Sequence, residues 1–377
     1  MKRNLNDTSL DRVLGDLPSL FHFSDGTELD SVQDWPRLRE ELLERSVPLA
    51  FGQMPPIPEV FSTALLHDYG GKSPMCTYRI TAGTARRTLS FELSIRFPIG
   101  EGPFPVVLTG DGCFPYLTDE IAREMLSRGF AVAIFNRTVL ADDIDSYAQQ
   151  GGLYDIYSSL KFGAVAAWAW GYHRCVDLLL RHPRIDPEGI CITGHSRGGK
   201  ATLLAAALDT RITYTQTNCS GLFGSGCFRY DQGEPCPMVG DHTHAERISN
   251  MMGREGDHPG FGYWINPQMG DYIGREQELP FDMHFLKAAV APRYLLQSDS
   301  VDDVWADLRG AWQTYHAAKD LYAYLGVEDH IAAVYRYGNH FHTMRDFQVF
   351  LDYIEDARAG RKFLQDNADT TYQLTRI

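Results

Sequence analysis

The chain has 377 residues, of which 44% are hydrophobic and 22% are charged, a composition typical of globular proteins with a sizeable core. Its formal net charge is −14 and no basic stretch stands out, which argues against nucleic acid or an anionic membrane surface as a partner. No apolar run approaches the roughly 18 residues of a membrane-spanning helix.

The N-terminus and the cysteines bear on the cellular compartment. Residues 1–10 contain no apolar segment of the kind found in secretory signals. The 7 cysteines are irregularly spaced and form no paired C-x-x-C motif. We therefore expect reduced thiols in a cytoplasmic protein, or a secreted protein if a leader has been removed.

The first part of the chain is predicted to pack on the outside of the main body. Residues 1–75 are interrupted by prolines and are interpreted as an N-terminal arm, with a short amphipathic helix over Arg37–Arg45. Two alternating runs follow at Cys76–Ile80 and Thr88–Phe97. This pattern predicts paired antiparallel strands at the edge of a sheet.

From residue 104 onward, short apolar runs alternate with amphipathic segments. The runs predict strands at 104–108, 130–135, 190–192, 212–216, 293–297 and 331–336, and the segments between them predict helices at 119–127, 162–180, 285–290, 311–325 and 347–357. The alternation indicates an α/β fold with a mostly parallel central sheet and helices on both faces. Residues 1–377 are predicted to form a single domain.

One long segment has no regular pattern. Residues 217–280 are rich in glycine, asparagine, histidine, aspartate and aromatic residues. Irregular stretches of this length are usually functional loops. We expect an insertion or lid before the strand at 293–297.

The residues around Ser196 predict a nucleophile. The apolar run Ile190–Ile192 is followed by Gly194-His-Ser-Arg-Gly198, which fits Gly-x-Ser-x-Gly, and then by an Ala/Leu-rich helix. A strand that turns directly into a helix crowds its backbone, so glycines are needed around the turn. The alternative is a structural Gly/Ser turn with no catalytic serine.

A serine nucleophile needs a base, and the base needs an orienting acid. His340 follows the last predicted strand in a Gly-x-His context, and His342 is the second candidate. Asp303 is the preferred acid and Asp302 the second choice, since both follow the strand at 293–297. The order Ser, acid, His is that of the α/β-hydrolase fold, which we predict for this chain.

Two basic residues follow the serine. The backbone N–H of Arg197 is the expected oxyanion donor, and the loop Gly110–Cys113 is the candidate source of a second. The Arg197 side chain could point into the site or form a surface ion pair. Lys200 lies one helical turn after Ser196, either facing an electron-rich substrate group or pointing to solvent.

A metal site is not expected. His242 and His244, with Glu246 and the adjacent Asp241, could ligate a metal, but H-x-H in a polar loop is a non-specific signal. No second cluster has suitable spacing, and no cofactor is indicated.

Several segments resemble the glucuronoyl esterases, carbohydrate esterase family 15. Gly194-His-Ser-Arg-Gly-Gly-Lys200 is similar to that family's Gly-Cys-Ser-Arg-x-Gly-Lys signature. The resemblance extends to other segments, which are Phe162–Gly171, Cys219–Arg229, Leu279–His284, Ala291–Arg293 and Asp303–Asp307. Together they span about residues 104–357, so the resemblance is more specific than Gly-x-Ser-x-Gly alone.

The resemblance implies cleavage of the ester between a glucuronic acid side group of xylan and a lignin alcohol. It implies Ser196 as nucleophile, His340 as base and Arg197 as oxyanion stabiliser. It further implies substrate-binding roles for three residues, namely Lys200 at sugar hydroxyls, Trp305 in the uronate pocket and Glu246 as a pocket carboxylate.

The chain departs from the family pattern at two positions. Cys219 stands where some members carry the triad acid, which favours Asp303. His195 replaces the signature cysteine, so a disulfide at that position is excluded.

We therefore predict a serine esterase that acts on small-molecule or oligosaccharide esters of carbohydrates, with 4-O-methyl-glucuronoyl or glucuronoyl esters as the expected substrates. An acetyl esterase acting on xylo-oligosaccharides through the same triad is the first alternative. A catalytically dead hydrolase scaffold that binds carbohydrate is the second. The oligomeric state and the leaving alcohol stay open.

Overall fold

The computed structural model describes residues 9–71, 74–144, 149–233, 245–253 and 260–364. Their strands are β1 Arg12–Val13, β2 Val60–Tyr69, β3 Met75–Gly83, β4 Thr88–Arg96, β5 Phe104–Thr109, β6 Ala131–Phe135, β7 Ile185–His195, β8 Tyr214–Asn218, β9 Tyr230–Asp231, β10 Tyr294–Ser300 and β11 Ile331–Arg336. Their helices are α1 Trp35–Phe51, α2 Asp119–Ser127, α3 Gly152–Ile156, α4 Ala164–Leu179, α5 Arg197–Leu208, α6 Ile248–Met251, α7 His284–Val290, α8 Leu308–Tyr324 and α9 Met344–Arg358. None of these helices is both long and apolar enough to cross a membrane.

Nine strands form one mixed sheet in the order β11-β10-β8-β7-β5-β6-β4-β3-β2. The six strands from β6 to β11 in this order are parallel, and β4, β3 and β2 continue the sheet in antiparallel pairings. The predicted antiparallel pair, the mostly parallel sheet and the α/β class are confirmed. Strands β1 and β9 form a separate antiparallel pair.

The central strands are apolar on both faces because helices cover both sides of the sheet. In β5, Val106 and Leu108 face a cluster that includes buried side chains of α4, α5 and α8, while Val107 faces a cluster built from α2 and α9. All three valine and leucine side chains are fully buried. This double coverage explains why these strands read as continuous apolar runs.

The N-terminal segment is more structured than the sequence predicted. Helix α1 covers Trp35–Phe51 instead of Arg37–Arg45, and Pro48 lies in its last turn, where it cannot donate to the carbonyl oxygen of Glu44. Residues of the predicted arm also form β2, the edge strand that pairs with β3. Most of β2 is exposed, so it lacks the alternating pattern from which strands are recognised.

The topology places the candidate site residues at one edge of the sheet. Parallel strands β5, β7, β8, β10 and β11 all end at that edge. The segments that follow them carry Asp111, Ser196, Cys219, Asp303 and His340. Ligands of open α/β sheets bind at this carboxyl edge.

Helix α4 approaches the sheet closely at Gly171. A Cβ atom at this position would overlap Leu140 Cδ1 and would lie 3.0 Å from Phe135 Cε2. We expect Gly171→Ala to lower the free energy of unfolding by about 1–2 kcal/mol, because overpacking outweighs the helix propensity that alanine adds. Chemical denaturation measures this change. Leu140→Ala removes the obstructing group, so the double variant should lose less than the sum of the single variants, and strictly additive losses would contradict the packing argument.

Candidate active site

Ser196 occupies a sharp turn between β7 and α5. Its backbone has φ 55° and ψ −123°, a conformation that non-glycine residues rarely adopt. A Cβ atom at Gly194 would lie 2.5 Å from the carbonyl oxygen of Gly198, and one at Gly198 would overlap the carboxylate of Asp111. Only glycine fits at these two positions, so the predicted elbow is present. The Ser196 side chain lies at the first turn of α5, where the helix dipole is positive.

His340 and Asp303 form a direct contact. His340 Nδ1 lies 2.5 Å from Asp303 Oδ2, and the Asp303 side chain is fully buried while that of His340 is 16% exposed. A carboxylate accepts the proton of Nδ1, so Nε2 is left as the free base nitrogen. The arrangement supplies an oriented imidazole at the edge where Ser196 lies.

Asp302 is placed elsewhere. Its Oδ2 accepts a hydrogen bond of 2.9 Å from the backbone N–H of Gly338. Asp302 thus holds the turn that precedes His340 and does not contact the imidazole. The preferred acid Asp303 therefore contacts His340, whereas the second choice Asp302 bonds to the backbone of Gly338.

His342 is a packing residue. Its ring stacks on Phe347 with centroids 3.9 Å apart, and burial lowers the pKa of His342 to about 4. An imidazole that is buried and neutral in this way packs as an aromatic ring. The structure therefore favours His340 over His342 as the candidate base.

His195, which precedes Ser196, packs against His340. The two ring centroids are 4.5 Å apart, and His195 Nδ1 lies 2.6 Å from Asn218 Oδ1. Burial first, and then the nearby His340, hold the pKa of His195 well below its usual range. The neutral His195 ring therefore packs against the imidazole of His340 and holds it close to the turn at Ser196.

The loop after β5 is attached to the elbow by Asp111. Its Oδ2 accepts a hydrogen bond of 2.8 Å from the backbone N–H of His195, and its other oxygen contacts Arg137. The backbone donors of residues 110, 111 and 112 bond to Tyr172 Oη, Thr109 Oγ1 and Phe135 O respectively. Three of the four backbone N–H groups of this predicted oxyanion loop are therefore engaged within the protein.

The Arg197 side chain forms an ion pair, but not the surface pair that was one of its two predicted alternatives. Its Nη1 lies 3.3 Å from both carboxylate oxygens of Asp143, and the guanidinium lies over the Trp264 ring at 4.5 Å from the centroid. The Arg197 side chain is 29% exposed, while that of Asp143 is only 6% exposed. The ion pair is therefore part of the site wall and not a surface contact.

Lys200 lies beneath the site. Its ammonium is fully buried and donates to the backbone oxygens of Ser220 and Leu222 at 2.7 and 2.6 Å and to Glu246 Oε2 at 2.7 Å. Burial lowers the pKa of Lys200 and raises that of Glu246, and the attraction within the pair opposes both shifts. All three ammonium protons are engaged, so the alternative that Lys200 points to solvent is wrong, and its contact with sugar hydroxyls stays a prediction.

Trp305 and Glu246, the other predicted substrate-binding residues, are also largely covered. Trp305 is 6% exposed and Glu246 is 4% exposed. Phe261 packs edge-on against Trp305, with centroids 6.2 Å apart, and stacks on Trp264 at 4.3 Å. These aromatic rings form one wall beside Arg197.

A group with metal-ligand chemistry overlaps the candidate triad. Ligand atoms of Cys219, Asp303 and His340 lie within 4.8 Å of one another. Asp241, His242 and His244, which belong to the cluster weighed on sequence grounds, lie outside the described residues. The described cysteines are free thiols.

The prediction from sequence missed Asp111, Asp143 and Asn218. Asp111 and Asn218 stand at the carboxyl ends of β5 and β8, and Asp143 follows β6 by eight residues. A polar residue after a buried parallel strand was an available signal.

Similar proteins share this architecture. The family model for glucuronyl esterases of fungi matches residues 80–326. The 4-O-methyl-glucuronoyl methylesterase 1 of Wolfiporia cocos is 29% identical and aligns over 94% of this chain and 82% of its own length. The 4-O-methyl-glucuronoyl methylesterase of Schizophyllum commune is also 29% identical, over 94% and 84% of the two chains.

Solved structures agree with these matches. A carbohydrate esterase family 15 glucuronoyl esterase from Caldicellulosiruptor kristjansonii superposes with a TM-score of 0.81 at 27% identity, covering 98% of this chain and 97% of its own. The glucuronoyl esterase catalytic domain from Hypocrea jecorina gives a TM-score of 0.74 at 25% identity and covers 97% of both chains. With the matched family model and an α/β-hydrolase architecture that carries the serine elbow, this chain belongs to the glucuronoyl esterase family.

Proposed function

We propose that the protein hydrolyses glucuronoyl esters of carbohydrates, including 4-O-methyl-glucuronoyl esters, with Ser196, His340 and Asp303 as its triad. The observation that carries the proposal is the contact between His340 Nδ1 and Asp303 Oδ2 beside the strained elbow of Ser196. Membership of the family supports the substrate class. The substrate is a small molecule or an oligosaccharide ester.

The proposed chemistry is that of a serine, histidine and aspartate triad. Ser196 Oγ attacks the ester carbonyl while His340 Nε2 takes its proton, and the same proton then goes to the departing alcohol. The glucuronoyl group stays on Ser196 until a water molecule, deprotonated by His340, displaces it. The buried Asp303 carboxylate stabilises the imidazolium that forms in each half of the cycle.

The developing oxyanion needs donors that are already in place. The backbone N–H groups at the start of α5 and the guanidinium of Arg197 are the candidates on one side. The Cys113 N–H is the candidate on the other. No cofactor or metal ion is required for this acyl transfer.

Substrate preference is the first test. We expect benzyl glucuronate to be hydrolysed in preference to 4-nitrophenyl acetate, and Ser196→Ala to abolish turnover of both, because the acyl-enzyme forms on Ser196. Steady-state rates for the two substrates measure this. Turnover of acetate alone would contradict the glucuronate assignment and favour an acetyl esterase. A fluorophosphonate probe that fails to label Ser196 would instead indicate a dead scaffold.

The two neighbouring aspartates should differ sharply. We expect Asp303→Asn to lower kcat by about 10³–10⁴-fold, because the imidazole loses its orienting carboxylate. Asp302→Asn is the matched control, since its amide oxygen can still accept the Gly338 N–H, and it should change kcat less than about threefold. Equal losses in the two variants would refute the assignment of Asp303 as the acid.

The buried lysine is predicted to act through stability. Lys200→Met leaves the Glu246 carboxylate buried without its partner, which should cost about 3–5 kcal/mol in the free energy of unfolding. The double variant Lys200→Met/Glu246→Gln removes the unpaired charge and should recover part of that loss. If Lys200→Met unfolds like the wild type and loses turnover of the glucuronate ester alone, Lys200 contacts the sugar directly.

A further inference from the structure

Asp143 gathers four donors at the wall of the active site. It follows β6, and its side chain is 6% exposed. Its carboxylate accepts from Trp264 Nε1 at 2.9 Å, Tyr263 Oη at 3.2 Å, Arg197 Nη1 at 3.3 Å and Arg137 Nη2 at 3.4 Å. A single carboxylate thus connects two arginines to two aromatic side chains.

The contacts fix both the guanidinium of Arg197 and the ring on which it lies. The guanidinium carbon is 4.5 Å from the centroid of Trp264, and the indole N–H of Trp264 bonds to the same carboxylate. The guanidinium carbon also lies 5.8 Å from the centroid of the Phe114 ring. A planar guanidinium held by a carboxylate and an aromatic face keeps one orientation, and its unused N–H groups keep theirs.

The ion pairs indicate that the charge of Asp143 matters more for Arg197 than for Arg137. Arg137 is fully buried and already contacts the carboxylate of Asp111. For Arg197, Asp143 is the carboxylate partner found within the described residues. Removing the charge of Asp143 therefore leaves Arg137 paired with Asp111, whereas Arg197 loses its ion pair with Asp143.

We propose that Asp143 is a positioning residue, which holds the Arg197 guanidinium so that its remaining donors meet the oxyanion of the transition state. The inference rests on the proposed function, in which Arg197 stabilises that oxyanion.

Asp143 has two opposing effects on the stabilisation of the oxyanion. Its negative charge weakens the local positive potential, but its hydrogen bonds restrict a guanidinium that is 29% exposed and would otherwise move into solvent. Preorganised donors dominate oxyanion stabilisation, so positioning outweighs the charge.

The test compares the kinetics of variants on benzyl glucuronate. Each rate is normalised to the concentration of enzyme whose Ser196 reacts with a fluorophosphonate. Asp143→Asn should lower kcat by about 10–100-fold with a KM change below about threefold, because the lost interaction belongs to the transition state. Asp143→Glu restores the charge and should recover part of kcat. Asp142→Asn is the matched control, since Asp142 is the exposed neighbouring carboxylate, and it should leave both constants unchanged.

A double-variant cycle separates positioning from a merely structural role. If Asp143 acts through Arg197, Asp143→Asn should have little further effect on kcat in an Arg197→Ala background. Additive losses, or a kcat for Asp143→Asn equal to or above that of the wild type, would overturn the inference. Full activity in Arg197→Ala alone would instead refute the oxyanion role of Arg197 and leave the triad unaffected. A lower melting temperature with an unchanged normalised kcat would mean that Asp143 only stabilises the fold.

Discussion

The backbone turn at Ser196 is the constraint on which the rest of the site depends. A non-glycine residue at φ 55° is strained by about 1–3 kcal/mol and persists only when its surroundings impose it. Two contacts provide that constraint. The Ser196 N–H donates to the Asn218 carbonyl at 2.8 Å, and the His195 N–H donates to Asp111 at 2.8 Å. The neighbouring strands β8 and β5 thereby hold the serine from both sides.

The carboxylate of Asp111 begins a series of alternating charges that reaches the substrate side of the site. Asp111 contacts Arg137, Arg137 contacts Asp143, and Asp143 contacts Arg197. Buried charges are tolerated only when each has a partner of opposite sign, and breaking one pair is costly. The elbow that strains Ser196 and the guanidinium proposed to stabilise the oxyanion are therefore connected through the same electrostatic network. A change at Arg137 would affect both.

The candidate triad was predictable from sequence because each member follows a recognisable strand. Ser196, Asp303 and His340 come after the apolar runs of β7, β10 and β11, and the parallel arrangement places them at one edge. The choice between Asp303 and Asp302 could only be ranked beforehand, because adjacent residues in a loop point in different directions. Strand β2 was missed for a different reason, since an exposed edge strand has no apolar alternation.

The complete burial of Lys200 could not be predicted from the sequence. A lysine one turn after the nucleophile reads as exposed or substrate-facing, because lysine is almost never fully buried unless it is paired. Its partner, Glu246, is distant in sequence, and two of its acceptors are backbone oxygens that no sequence pattern reveals. Long-range pairing of this kind depends on the tertiary fold.

The buried Lys200 in turn organises the segment on which the triad rests. By bonding the carbonyls of Ser220 and Leu222, it draws the chain after β8 towards α5. Cys219 immediately precedes this segment, has φ 43°, and places its sulfur within 4.8 Å of the ligand atoms of Asp303 and His340. The backbone that supports the acid–base pair is thus held by a lysine on the same helix that begins beside Ser196.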